Sequence, residues 1–107
     1  MKRGIGLKIV LNDKARIRLR ELLGNNKGTK PLRIYTVAYG WGGRLFRIAQ
    51  DEPRDHDIRF SAEGFDFIIE DYLYDTYSGF TINYNTDFLR KGFTISPKGR
   101  REKRISL

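Results

Sequence analysis

Apolar and polar residues alternate, or recur at helical spacing, in a clear order along the chain. Residues 7–11, Leu-Lys-Ile-Val-Leu, alternate and predict a short strand. Asn12-Asp13 then supplies a helix N-cap, since a short polar side chain accepts from the first unpaired backbone N–H groups. Between Asp13 and Leu23 two periods compete. Lys14, Arg16, Arg18 and Arg20 alternate with Ala15, Ile17 and Leu19 as a strand would, whereas Ala15, Leu19, Leu22 and Leu23 form a helical stripe. The cap before the segment and Gly24 after it favour a helix, with Ile17 off its main face.

Residues 25–31 form a polar turn, and residues 32–37 are rich in the β-branched and aromatic side chains that suit strands. A glycine loop and a second strand, residues 44–50, follow. Residues 51–56 make a charged connection that Pro53 keeps out of any ladder. Residues 57–60 and Phe65–Glu70 pair as a hairpin about residues 61–64. Residues 71–78 fit a single helical turn, and residues 80–84 and 92–96 complete the strands. From Pro97 onward there is no apolar period, which predicts a frayed basic tail. The expected fold is α+β: a compact, mostly antiparallel β domain with one N-terminal helix over residues 1–97, then a basic tail over residues 98–107.

Composition narrows the chemistry. The 107 residues suit a single core. They contain no cysteine, which excludes disulfides, thiol catalysis and thiolate metal or cluster ligation from within the chain. No apolar run approaches the roughly 20 residues needed to cross a bilayer. The charged start, Met1-Lys2-Arg3, lacks the features of a signal peptide, so a cytoplasmic protein that does not engage membranes is expected. The net charge of +8 is unevenly placed, basic before Arg47, acidic from Asp51 to Asp75, and basic again from Arg90. That asymmetry suits acidic partners, self-association or nucleic acid, and internal pairing accounts for it equally well.

Several segments, in order, resemble the HesB/IscA-like family of A-type iron–sulfur carriers. Ile9 to Ala15, followed by Leu19, Leu22 and Leu23, resembles that family's strand and capped helix. Leu32-Arg33-Ile34-Tyr35 leading into Gly40-Trp41-Gly42-Gly43 is similar to its central strand and glycine loop. Asp51-Glu52-Pro53 with Asp57-Ile58-Arg59-Phe60 matches its acidic connector, and Gly64 to Ile69 its hairpin. Gly92-Phe93-Thr94-Ile95-Ser96-Pro97 is similar to its last strand. The resemblance implies a β-rich domain that self-associates and binds iron or a cluster through one loop cysteine and a Cys-x-Cys near the C-terminus. Here Trp41 stands in the place of the loop cysteine, and Lys98-Gly99-Arg100-Arg101 where the Cys-x-Cys would lie. The fold carries over; the thiolate chemistry does not.

Three candidate sites follow. The glycine loop Gly40, Trp41, Gly42 and Gly43 offers backbone freedom beside a large aromatic, as a partner or ligand contact or as part of the packed sheet. It matches neither a phosphate-binding loop nor a dinucleotide fingerprint. Lys14, Arg16, Arg18 and Arg20 on the helix, with Arg100 and Arg101 on the tail, are candidate anion or nucleic-acid contacts, although no nucleic-acid motif accompanies them. His56 among Asp51, Glu52, Asp55 and Asp57 lacks a known metal spacing, so no metal and no cofactor is assigned. No nucleophile–base pair stands at an interpretable spacing, so no enzyme is expected. The expected function is a non-catalytic interaction module acting on a protein partner or on itself. An accessory role in cluster assembly with partner-supplied ligands and a basic nucleic-acid-binding domain are the alternatives.

Overall fold

A computed structural model describes residues 6–24, 30–40, 43–88 and 91–99. Its elements are β1 (Lys8–Leu11), α1 (Asp13–Leu23), β2 (Leu32–Tyr39), β3 (Gly43–Gln50), β4 (Asp57–Ala62), β5 (Phe65–Glu70), α2 (Asp71–Thr76), β6 (Gly79–Asn85) and β7 (Gly92–Lys98). Asn12 caps α1 as expected: its side chain accepts from the Ala15 N–H at 2.8 Å and also from the Tyr84 N–H at 3.3 Å. One side chain therefore starts the helix and fixes it to β6. Asn12→Ala is expected to cost about 1–2 kcal/mol, read as a lower urea midpoint with helix and sheet signals moving together. A helix-only loss at unchanged global stability would contradict the bridging role.

The seven strands form one sheet in the order β1-β6-β7-β3-β2-β5-β4. Among the described residues four of its six pairings are antiparallel, as expected of a mostly antiparallel sheet, but the sheet is mixed: β1 runs parallel to β6, and β2 runs parallel to β5. After the β2–β3 hairpin the connector at residues 51–56 returns the chain to the far side of β2, where β5 runs alongside it. Alternation of side chains fixes which face a residue takes and is blind to strand direction. Among the described residues there are also two helices, the second being six residues long. The β4–β5 turn is tighter than expected, with Glu63 at φ 56° and Gly64 at φ 83°, the two positive values of a type I′ hairpin.

Ala15 and Leu19 of α1 pack with Ile9, Ile34, Phe67, Ile69, Phe80 and Ile82 in the core. Ile17 is exposed, as its place off the stripe required, but Leu22 is exposed as well, and Leu23 takes the inner position in the last turn. β7 continues through Pro97 to Lys98, two residues past the expected end of the last strand, because the Ser78 N–H and hydroxyl both donate to the Lys98 carbonyl. At Gly79 the parallel β1–β6 contact leaves no room for a side chain, since a Cβ there would stand 2.3 Å from the Lys8 carbonyl oxygen.

Candidate functional site

The glycine loop is the tip of the β2–β3 hairpin. Tyr39 pairs with Gly43, and the Gly43 N–H donates to the Gly40 carbonyl at 3.5 Å. Gly40 is exposed, and a Cβ there would meet nothing within 4 Å. Trp41 and Gly42 lie outside the described residues, as do Arg100 and Arg101.

The basic residues of α1 do not present one free cationic face. Arg16 pairs with Glu63 of the β4–β5 turn at 2.7 Å. Arg18 pairs with Glu21 at 3.0 Å and lies over the Tyr84 ring; the hydrogen bond to Glu21 leads the causes that raise its pKa. Lys14 and Arg20 are exposed.

The acidic connector, read from sequence as a charged turn, closes around a side chain that was not singled out. Arg33 of β2 is 5% exposed, pairs in register with the fully buried Ile68, and points to the outer face of the sheet. Its Nε donates to Asp51 at 2.7 Å, Nη1 and Nη2 grip both oxygens of Asp57 at 2.7 Å, and Nη2 also reaches the Glu52 carbonyl at 3.0 Å. Asp57 in turn accepts from the Arg54 N–H. The guanidinium lowers the Asp57 pKa and is itself held above its ordinary value, chiefly by the hydrogen bond to Asp57. Asp51 is lowered first by the Glu52 N–H and then by Arg33. With Asp51 and Asp57 so engaged, the acidic groups near His56 form a clasp. A guanidinium between the inward-facing Leu32 and Ile34, followed by an acid-rich connector, is the sequence signal for it.

A groove of about 520 Å³ opens where β3 and β7 meet α2. Phe46, Leu73, Tyr77 and Ile95 line its apolar part; Tyr72 and Leu45 are large apolar side chains left exposed beside it. Phe46 meets Tyr77 edge-on at 5.5 Å between ring centroids. Arg44 stands at the rim, and its Nη2 donates to the Thr36 hydroxyl at 2.8 Å.

The donor set does not fit an iron–sulfur cluster: the 107 residues contain no thiol, and among the described residues no three His, Asp or Glu side chains converge. Likewise, among the described residues no helix is long and apolar enough to cross a membrane.

No family model matches the sequence, and no curated protein matches it. Solved structures do share the fold. Escherichia coli SufA, described as involved in biosynthesis of iron–sulfur clusters, superposes with a TM-score of 0.65 at 18% identity, over 90% of this chain and 86% of that one. IscA with a [2Fe–2S] cluster gives 0.61 at 20% identity, over 83% and 84%. The solution structure of a protein from Aquifex aeolicus gives 0.60 at 24% identity, over 90% and 97%. The chain has the HesB/IscA-like fold, as the ordered segments implied.

Proposed function

We propose that this chain is a non-catalytic interaction module built on the HesB/IscA-like fold, and not a self-sufficient iron–sulfur carrier. The observation that carries this reading is a scaffold like that of SufA and IscA in a chain without a single cysteine. Cysteine thiolates hold such clusters, with histidine replacing part of the set in some centres, and neither the indole of Trp41 nor the cationic side chains at residues 98–101 is a ligand of that kind. What the fold retains is a set of surfaces: the β2–β3 hairpin tip, the aromatic groove and the exposed face of α1. The hairpin tip with Gly40 and Gly43 is the proposed partner contact inherited with the scaffold.

Reconstitution tests the reading. The purified chain is incubated anaerobically with ferrous iron, sulfide and dithiothreitol, desalted, and assayed for iron and visible absorption. The expected result is iron far below one equivalent and no cluster band. A stoichiometric cluster on the chain alone would sink the proposal.

The second reading, an accessory role in cluster assembly with ligands from a partner, draws support from the SufA likeness over 90% of the chain. It predicts a cluster band only when a cysteine-bearing partner is present. The nucleic-acid reading rests on net charge, and the ion pairs of Arg16 and Arg18 already spend part of that charge within the molecule.

A further inference from the structure

The groove at the β3–β7 seam has a defined origin. β6 and β7 pair at every position from Gly79↔Lys98 to Asn85↔Gly92, which sets Pro97 opposite Phe80. Proline has no N–H, so this must be a non-hydrogen-bonded pair, and the Pro97 ring nitrogen faces β3 instead. By the same alternation the N–H and C=O of Ile95 also face β3, where Ile95 makes the only β3–β7 bridge among the described residues, with Phe46. Two residues along, the next donor that β7 would offer is Pro97, and it has none to give. The ladder stops there. On β3, Arg44 lies two residues before Phe46, so its backbone N–H and C=O point to the same edge, beyond the last β3–β7 bridge among the described residues, where the register sets Pro97 and its missing donor.

Next to this open edge lie the apolar side chains of Phe46, Leu73 and Tyr77. On the same face of β3, two residues from Phe46, the Arg44 guanidinium meets a hydroxyl and, among the described residues, no carboxylate. A strand edge, an apolar cleft and a cation with no carboxylate partner among the described residues thus lie within two residues of one another.

We propose that the β3–β7 seam receives an extended segment of a partner protein. That segment hydrogen-bonds to the Arg44 backbone, buries one aromatic or large aliphatic side chain against Phe46, Leu73 and Tyr77, and places a Glu or Asp two positions away against the Arg44 guanidinium. Strand addition provides the affinity, and the cleft and the cation provide the sequence preference. The proposal rests on the interaction-module reading and names its partner class: an acidic, extended peptide.

The test uses synthetic heptapeptides of alternating threonine and valine carrying one phenylalanine and, two positions away, one glutamate. A matched set carries lysine instead of glutamate. Amide chemical shifts of the full chain are followed during titration. The expected result is perturbation at Arg44, Phe46, Thr76 and Ile95, with the glutamate peptides binding about tenfold tighter than the lysine peptides. Arg44→Glu, confirmed folded by its amide spectrum, should reverse that order. Equal binding of the two sets, or no shift at these amides at millimolar peptide, would overturn the proposal. Binding confined to another surface would also overturn it, while leaving the interaction-module reading in place. Phenylpropionate binding as tightly as the heptapeptides would show a small-molecule cleft and overturn the strand. Shifts at these amides that grow with protein concentration alone would show a second copy as occupant and overturn it equally.

Discussion

Arg33→Met is expected to lower stability by about 3–5 kcal/mol at neutral pH. The cost does not come from a lost attraction alone. The Asp57 side chain is 2% exposed, and both of its oxygens are held by Arg33. Methionine fills much of the same volume but leaves a buried carboxylate with only the Arg54 N–H for compensation. Chemical denaturation of the two proteins at pH 7 measures the difference. A loss below about 1 kcal/mol would mean that Asp57 is hydrated and that the clasp contributes no more than an exposed ion pair. The double change Arg33→Met with Asp57→Leu should recover much of the loss, because replacing both partners removes the stranded charge.

The same clasp fixes the sign of the pH dependence. Asp51 and Asp57 both have pKa values lowered by folding. Their contribution is therefore complete above the ordinary aspartate value of about 3.9, and it fades as pH falls through the lower folded values. Over that acid limb the unfolded chain binds more protons than the folded one, so stability rises with pH. In Arg33→Met the buried Asp57 gains from being protonated. The gap between wild type and variant should accordingly narrow as the pH is lowered from 5 to 3. A gap that stays constant over this range would contradict the assignment of the acid limb to these carboxylates.

Much of the architecture was legible because it is local. The Asn12 cap, the Ala15–Leu19 stripe, Gly24 and the Glu63-Gly64 turn each act over four residues or fewer, so their chemistry is visible in the string. The parallel pairings of β1 with β6 and β2 with β5 join distant segments whose alternation reads the same in either direction. In the string Arg33 is simply one residue of a strand, because its partners lie 18 and 24 residues away. The acidic residues at 51–57 have the composition of oxygen ligands for a cation. They do surround a cation, and it is the guanidinium of β2. Alternation along the last strand gives out at Ser96, yet Pro97 still lies inside the sheet, and its missing N–H ends the β3–β7 ladder. In each of these cases the residue type was informative, and what was lacking was the identity of its neighbour across the sheet.

Phe80→Ala is expected to cost about 3–5 kcal/mol, comparable to the loss of Arg33 and by a different mechanism. Phe80 is fully buried on β6, with its ring 5.1 Å from Phe46 and 5.7 Å from Tyr77. Those two side chains line the groove, so Phe80 lies behind its apolar lining without contributing to it. Truncation leaves a cavity there, and Phe46 and Tyr77 lose the contact that holds each at its present angle. Stability and groove affinity should fall together, although the substituted side chain touches no ligand. Phe88→Ala is the control: at 94% exposure its removal should change the unfolding free energy by less than about 0.5 kcal/mol. Urea unfolding of the two variants separates the cases, because only the first should shift the midpoint strongly. If Phe80→Ala were as mild as Phe88→Ala, the three rings would not be packed as a unit, and a preformed cleft at the β3–β7 seam would lose its physical basis.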